Sequence, residues 1–141
     1  MLRLAPSLIP GRITAGGFIL HSGLDKWKGS SQQAAGVHGM ATRAFPFLNT
    51  VPPERLLRLL AAAEIATGAA LLLPFASDAL ARVALTGFSG SLLAMYARTP
   101  TLRKARSIWP TPAGTAVSKD IWMLGIGIGL LISARASRAS A

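Results

Sequence analysis

The chain has 141 residues, 51% hydrophobic and 14% charged, with no cysteine and a net charge of +10 from fifteen Lys and Arg against five Asp and Glu. A soluble domain carries about 25% charged residues, so this balance, with a mean hydropathy of +0.46, predicts one small integral membrane domain over residues 1–141. Disulfides, thiol catalysis, cysteine-ligated zinc and iron–sulfur clusters on this chain are excluded, and the lack of a basic stripe with interleaved aromatics argues against nucleic acid.

Four apolar segments follow one another at roughly 7–26, 54–75, 78–98 and 118–134. Each is near the roughly 20 residues a spanning helix needs. They are continuous blocks, not the alternating pattern of spanning strands. The predicted fold is therefore all-α: a four-transmembrane-helix bundle in the cell membrane, joined by a long first loop. At the N-terminus Arg3 precedes apolar residues, as in a signal peptide. Arg12 breaks that run and no small-residue cleavage pattern follows closely, so the segment is read as the first helix.

Between the first two spans, Ala34, Val37, Met40, Ala44 and Phe47 recur at helical spacing. They predict an amphipathic or re-entrant segment over 31–47, ended by Pro46, Pro52 and Pro53. A tight turn is expected at Pro74–Ser77, making the second and third helices antiparallel neighbours. The loop Thr99–Val117 carries Arg103, Lys104, Arg106 and three prolines, which predicts an extended chain. The tail Arg135–Ala141 is expected to fray. The segments 26–58 and 98–119 together hold ten Lys and Arg and the rest of the chain five, so the positive-inside rule places the two long basic loops in the cytoplasm. Trp27, Tyr96, Trp109 and Trp122 fall on that side and read as an aromatic belt, with loop packing the alternative for Trp109. Basic residues flanking apolar runs suit anionic lipid headgroups.

Polar groups inside the spans are the candidates for chemistry, because hydrocarbon penalises them. Counted at 1.5 Å per residue, Glu64 lies roughly 13 Å deep from Arg55, and Arg12 roughly 21 Å and His21 roughly 7 Å from Lys26. Arg12 and Glu64 are thus close enough in depth to pair. The other readings of Glu64 are a proton-linked or quinone-contacting carboxylate, and a protonated acid bonded to a backbone carbonyl. His21 is read as a satisfied interfacial histidine or as a proton relay or quinone-carbonyl donor. His38, in the loop, is read as solvated, which leaves no bis-histidine haem pair. Asp120 opens the fourth helix, where an acid complements the macrodipole; a catalytic acid is the alternative. Lys119 beside it reads as a snorkelling residue. Gly125 and Gly129 form a small-xxx-small pair expected to pack that helix against a neighbour. The two histidines and few carboxylates show no metal-ligand spacing, and there is no Walker loop, nucleophile elbow or GxGxxG.

Together these residues resemble the DoxX family. The opening helix carries Arg12-x-x-x-Gly16-x-Phe18-Ile19-Leu20-x-x-Gly23-x-x-Lys26, the second Glu64 followed by Gly68, and the fourth Lys119-Asp120-x-x-x-Leu124-Gly125. The resemblance covers nearly the whole chain. It implies a redox-associated subunit of a membrane complex, with Arg12, Lys26, Glu64 and Asp120 as the positions carried over. The family is named for a small membrane subunit of thiosulfate:quinone oxidoreductase, and actinobacterial relatives are linked to oxidant defence. With no cysteine and no cofactor-binding motif, electron transfer on this chain would need a bound quinone or a partner's cofactor. The expected function is an accessory subunit of a quinone-linked redox or oxidant-defence complex, not catalytic alone. Its partners would be the lipid bilayer and other membrane or redox proteins, in a homo- or hetero-oligomer. The alternative is a structural subunit or anchor that docks partner proteins and carries no redox chemistry.

Overall fold

A computed structural model describes residues 9–73 and 78–139. Among the described residues the fold is all-helical. α1 spans Ile9–Trp27, α2 Ser31–Ala44, α3 Pro53–Leu72, α4 Asp78–Arg98, α5 the single turn Thr115–Ser118, and α6 Asp120–Ala139. The four long helices lie where the apolar segments predict them, within a few residues, except that α6 continues past the expected end at Ala134. The turn expected at Pro74–Ser77 lies outside the described residues.

α1 and α3 form the tightest pair, and glycine is the reason. The buried stripe of α1 runs Arg12, Gly16, Ile19 and Gly23, and that of α3 runs Leu57, Ala61, Glu64, Gly68 and Leu71, the spacing of one helix face. A Cβ at Gly68 would lie 2.7 Å from the Leu20 nitrogen, one at Gly23 2.9 Å from the Glu64 Cβ, and one at Gly16 2.9 Å from the Leu71 Cβ. Residues 23, 20 and 16 thus meet 64, 68 and 71 in turn, so the two helices run antiparallel with backbones in near contact. The core closes where all four long helices meet: Ala15 and Ile19 of α1, Leu71 of α3, Ala81 and Leu85 of α4, and Leu130 of α6.

The long first loop contains a true helix. Ser30 caps α2 by accepting from the Gln33 amide, one half of a capping box. Its buried face is Ala34, Ala41 and Ala44; Phe47 lies in the following 3-10 turn and is 70% exposed. His38, expected to be solvated, is half-buried, with Nε2 2.9 Å from the Val51 carbonyl.

The loop after α4 is folded and not extended. A 3-10 turn, Pro100–Leu102, seats Leu102 in the interior. Arg103 then bridges to Pro110, the Lys104 amide donates to the Trp109 carbonyl at 2.8 Å, and the Thr111 amide donates to the Leu102 carbonyl at 2.9 Å. The Tyr96 hydroxyl donates to the Ile108 carbonyl at 2.7 Å, which ties the hairpin to α4. Turn formation here outweighs the extended bias of Pro100, Pro110 and Pro112, because each proline sits at an end of the motif and the amides between them are free to bond. Trp27, Trp109 and Trp122 face outward, as a belt requires; Tyr96 does not, being used inside.

α4 against α6 corrects the expected glycine face. A Cβ at Gly127 would meet the Thr86 Oγ1 at 2.6 Å, whereas at Gly125 or Gly129 it would meet nothing within 4 Å. The helix therefore packs within this chain through Gly127, and the 125/129 pair lies on another side. Two stretches, Ala79–Arg98 and Thr115–Ile132, are long and apolar enough to cross a membrane. Only about a fifth of each is buried, 22% and 17%, so their apolar side chains face outward, unlike those of a core helix in a soluble protein.

Candidate functional site

Arg12 and Glu64 are both buried, at 4% and 5% exposure, but they do not pair. In the α1–α3 register Arg12 lies opposite the end of α3. Its Nε donates to the Leu71 carbonyl at 2.9 Å, and its Nη2 to the carbonyls of Ala70 at 3.1 Å and Leu73 at 3.2 Å. The last carbonyls of a helix have no partner within it and carry the negative end of its dipole. Arg12 satisfies both needs and pins the start of α1 to the end of α3.

Glu64 pairs with Lys26 instead. Lys26 Nζ lies 3.0 Å from both carboxylate oxygens and donates to the Ser22 Oγ at 2.6 Å. Ser22 and Lys26 stand four residues apart on α1, hence on one face, and Gly23 between them lets Glu64 come close. The depth count misleads because it treats Arg55 as level with Lys26. In the observed register α3 begins roughly 9 Å beyond that level, which brings Glu64 to Lys26 and carries it away from Arg12.

His21, expected inside, is outside. Its side chain is 75% exposed and sits 3.4 Å from Asp25 one turn on. The face of α1 that meets α3 is occupied by Gly23 and Ile19, and His21 falls on the opposite side. The proton-relay and quinone-donor readings of His21 are not supported by this position.

The Lys26–Glu64 pair forms the polar wall of a cavity of about 450 Å³. Six helices line it, α5 through Ala116 and Val117. Phe18, Ile19 and Ser22 come from α1, Val37 and Met40 from α2, Leu56 and Leu60 from α3, Phe88, Leu92 and Met95 from α4, and Asp120 and Met123 from α6. Phe45 and Leu48, in the link between α2 and α3, complete the rim, and the Arg98 guanidinium stands 5.1 Å above the Phe45 ring. Asp120, 6% exposed, is held by its place in the first turn of α6. It feels the charges of both Glu64 and Lys26. So α1, α3 and α6 each deliver an ionisable group to one apolar chamber: two carboxylates, one ammonium, and the Ser22 hydroxyl. Ser22 accepts from Lys26, which leaves its own proton to donate.

Such a chamber suits a largely apolar molecule with a few polar atoms. No three His, Asp or Glu side chains converge among the described residues. Sequence reasoning singled out Lys26, Glu64 and Asp120 but not the Lys26–Glu64 bond. It passed over Ser22, whose spacing from Lys26 is the signal that could have found it. The methionines and Phe88 carry no sequence signal beyond apolarity.

No protein-family model, curated protein or solved structure matches this chain.

Proposed function

We propose that the chain is a multi-pass membrane subunit of DoxX type that seats a quinone beside the Lys26–Glu64 pair and serves a quinone-linked redox or oxidant-defence complex. The observation that carries the reading is the cavity itself: apolar walls from six helices, with three ionisable groups and a hydroxyl among them. Outward apolar side chains on all four long helices support membrane placement beyond the two stretches long and apolar enough to cross. Ile13 and Phe18 on α1, Leu59 on α3, Leu80 and Val83 on α4, and Ile121 and Ile132 on α6 are all more than half exposed. A soluble monomer rarely carries apolar surface on that scale. The buried charges of α1 and α3 are accounted for internally, Arg12 by carbonyls and Lys26 and Glu64 by each other, whereas Asp25, Glu54, Arg55 and Arg58 lie near the helix ends and are exposed.

A bound quinone would supply two-electron redox chemistry. The chain's own residues would do the rest. Phe18, Phe88 and the methionines would pack against the ring. The Ser22 hydroxyl and the Lys26 ammonium would donate to a ring oxygen. Glu64 and Asp120 would hold or accept protons at the same wall. Two carboxylates beside one ammonium allow a proton to shift between them without leaving a bare charge in the chamber.

The test is co-purification after gentle extraction. A redox protein in the same complex, together with a quinone in its lipid extract, is the expected result. A complex with neither would overturn the reading and favour a structural anchor.

A further inference from the structure

The hairpin after α4 has features the cavity does not use. Between Arg98 and Lys119 the chain contains no acidic residue and three further cations, Arg103, Lys104 and Arg106. These three, with Ser107 and Ile108, line a concavity of about 390 Å³, separate from the cavity above. The Arg103 Nη2 donates to the Ala97 carbonyl at 2.8 Å, which anchors that guanidinium at the end of α4. Lys104 and Arg106 are exposed. Immediately beside them Ile108 is 78% exposed and Trp109 68%.

Position decides what this surface meets. The hairpin joins the stretches Ala79–Arg98 and Thr115–Ile132, the two long apolar candidates for crossing. With those helices in a bilayer, residues 103–110 lie at its surface. Exposed Trp and Ile prefer the boundary between headgroups and acyl chains, and Arg and Lys beside them reach headgroup phosphates.

We propose that the hairpin is a docking site for the phosphate of an anionic phospholipid. Arg103, Lys104 and Arg106 supply the charge, and Ile108 and Trp109 enter the acyl boundary. The inference rests on the membrane placement proposed above, not on the quinone. A cytoplasmic acidic protein would suit the cations but leaves Ile108 and Trp109 without an environment.

The experiment uses the full chain in lipid nanodiscs, with Trp27→Phe and Trp122→Phe so that Trp109 alone reports. Brominated phosphatidylglycerol and brominated phosphatidylcholine are compared as quenchers across mole fraction. The anionic lipid should quench at lower mole fraction. That midpoint should rise about fivefold for each cation removed in Lys104→Ala and Arg106→Ala, since each is worth about 1 kcal/mol at such a surface. The charge-conserving Lys104→Arg with Arg106→Lys should keep the preference. Equal quenching by both lipids overturns the headgroup site. So does a preference that survives both alanine changes, or one abolished by millimolar inorganic phosphate, which would mark a soluble anion as the ligand. If neither lipid quenches, Trp109 is remote from the bilayer and the membrane placement falls with the site.

Discussion

Lys26→Met removes a cation that acts on both cavity carboxylates. In the native chain Lys26 Nζ lies 3.0 Å from each Glu64 oxygen, with the side chains 20% and 6% exposed. At an effective dielectric of 20, two unit charges 3.0 Å apart attract by about 5 kcal/mol. Desolvation cancels much of this, so the net worth of the pair is small while the cost of orphaning one partner is large, about 3–5 kcal/mol. Because Lys26 retains some solvent, the lower end applies, about 3 kcal/mol for Lys26→Met. That variant also leaves Glu64 facing Asp120 with nothing between them. Glu64→Gln is milder, about 1–2 kcal/mol, since the ammonium keeps Ser22 and still faces Asp120. The double variant should lose less than the two single losses added, by about 1–2 kcal/mol, the mark of direct contact. Denaturant unfolding in mild detergent, followed by tryptophan fluorescence, measures all three. Simple additivity, or Glu64→Gln costing more than Lys26→Met, would refute this account of the pair.

Three further outcomes are expected. Gly68→Ala should lower the melting midpoint, because its Cβ would press on the Leu20 backbone nitrogen at 2.7 Å, an overpacking cost of about 1–3 kcal/mol; Gly125→Ala meets nothing and should be neutral or raise it by up to about 1 kcal/mol of helix propensity, and equal effects would mean the α1–α3 register is wrong. Arg12→Met leaves the last carbonyls of α3 without their charged donor and should lose about 1.5–3 kcal/mol; if Arg12→Gln melts as low as Arg12→Met, donation to carbonyls is not its role. Reporter fusions should place Lys104 in the cytoplasm and the end of the chain outside; a cytoplasm-only reporter active at the C-terminus would reverse the orientation.

The four long helices are legible in the sequence because apolar blocks bounded by charge and proline are a local signal. α2 is legible as a helix-like period over 31–47, though amphipathic and re-entrant readings could not be separated from spacing alone. Which charges meet is not local. Arg12, Lys26 and Glu64 all stand out, but their pairing depends on the register of α1 against α3, set by close approach at Gly16, Gly23 and Gly68. A count from helix ends assumes that the ends are level, and here they are not. His21 misled for a related reason: depth places a residue along a helix, whereas exposure depends on its face. Gly125 and Gly129 carry the familiar spacing, yet the helix packs through Gly127, whose neighbour Thr86 gives no sequence signal. The hairpin at 103–110 was hidden by prolines that mark its boundaries and not an extended path.

The proposed function requires a quinone in the chamber beside Lys26 and Glu64. Native mass spectrometry of the gently extracted protein, with the released ligand identified from the same sample, tests it most directly. The parent chain should carry a quinone, and Met95→Trp, which fills the chamber while leaving the ion pair in place, should carry none. A parent that carries only phospholipid, or a Met95→Trp variant that retains quinone undiminished, would contradict the claim.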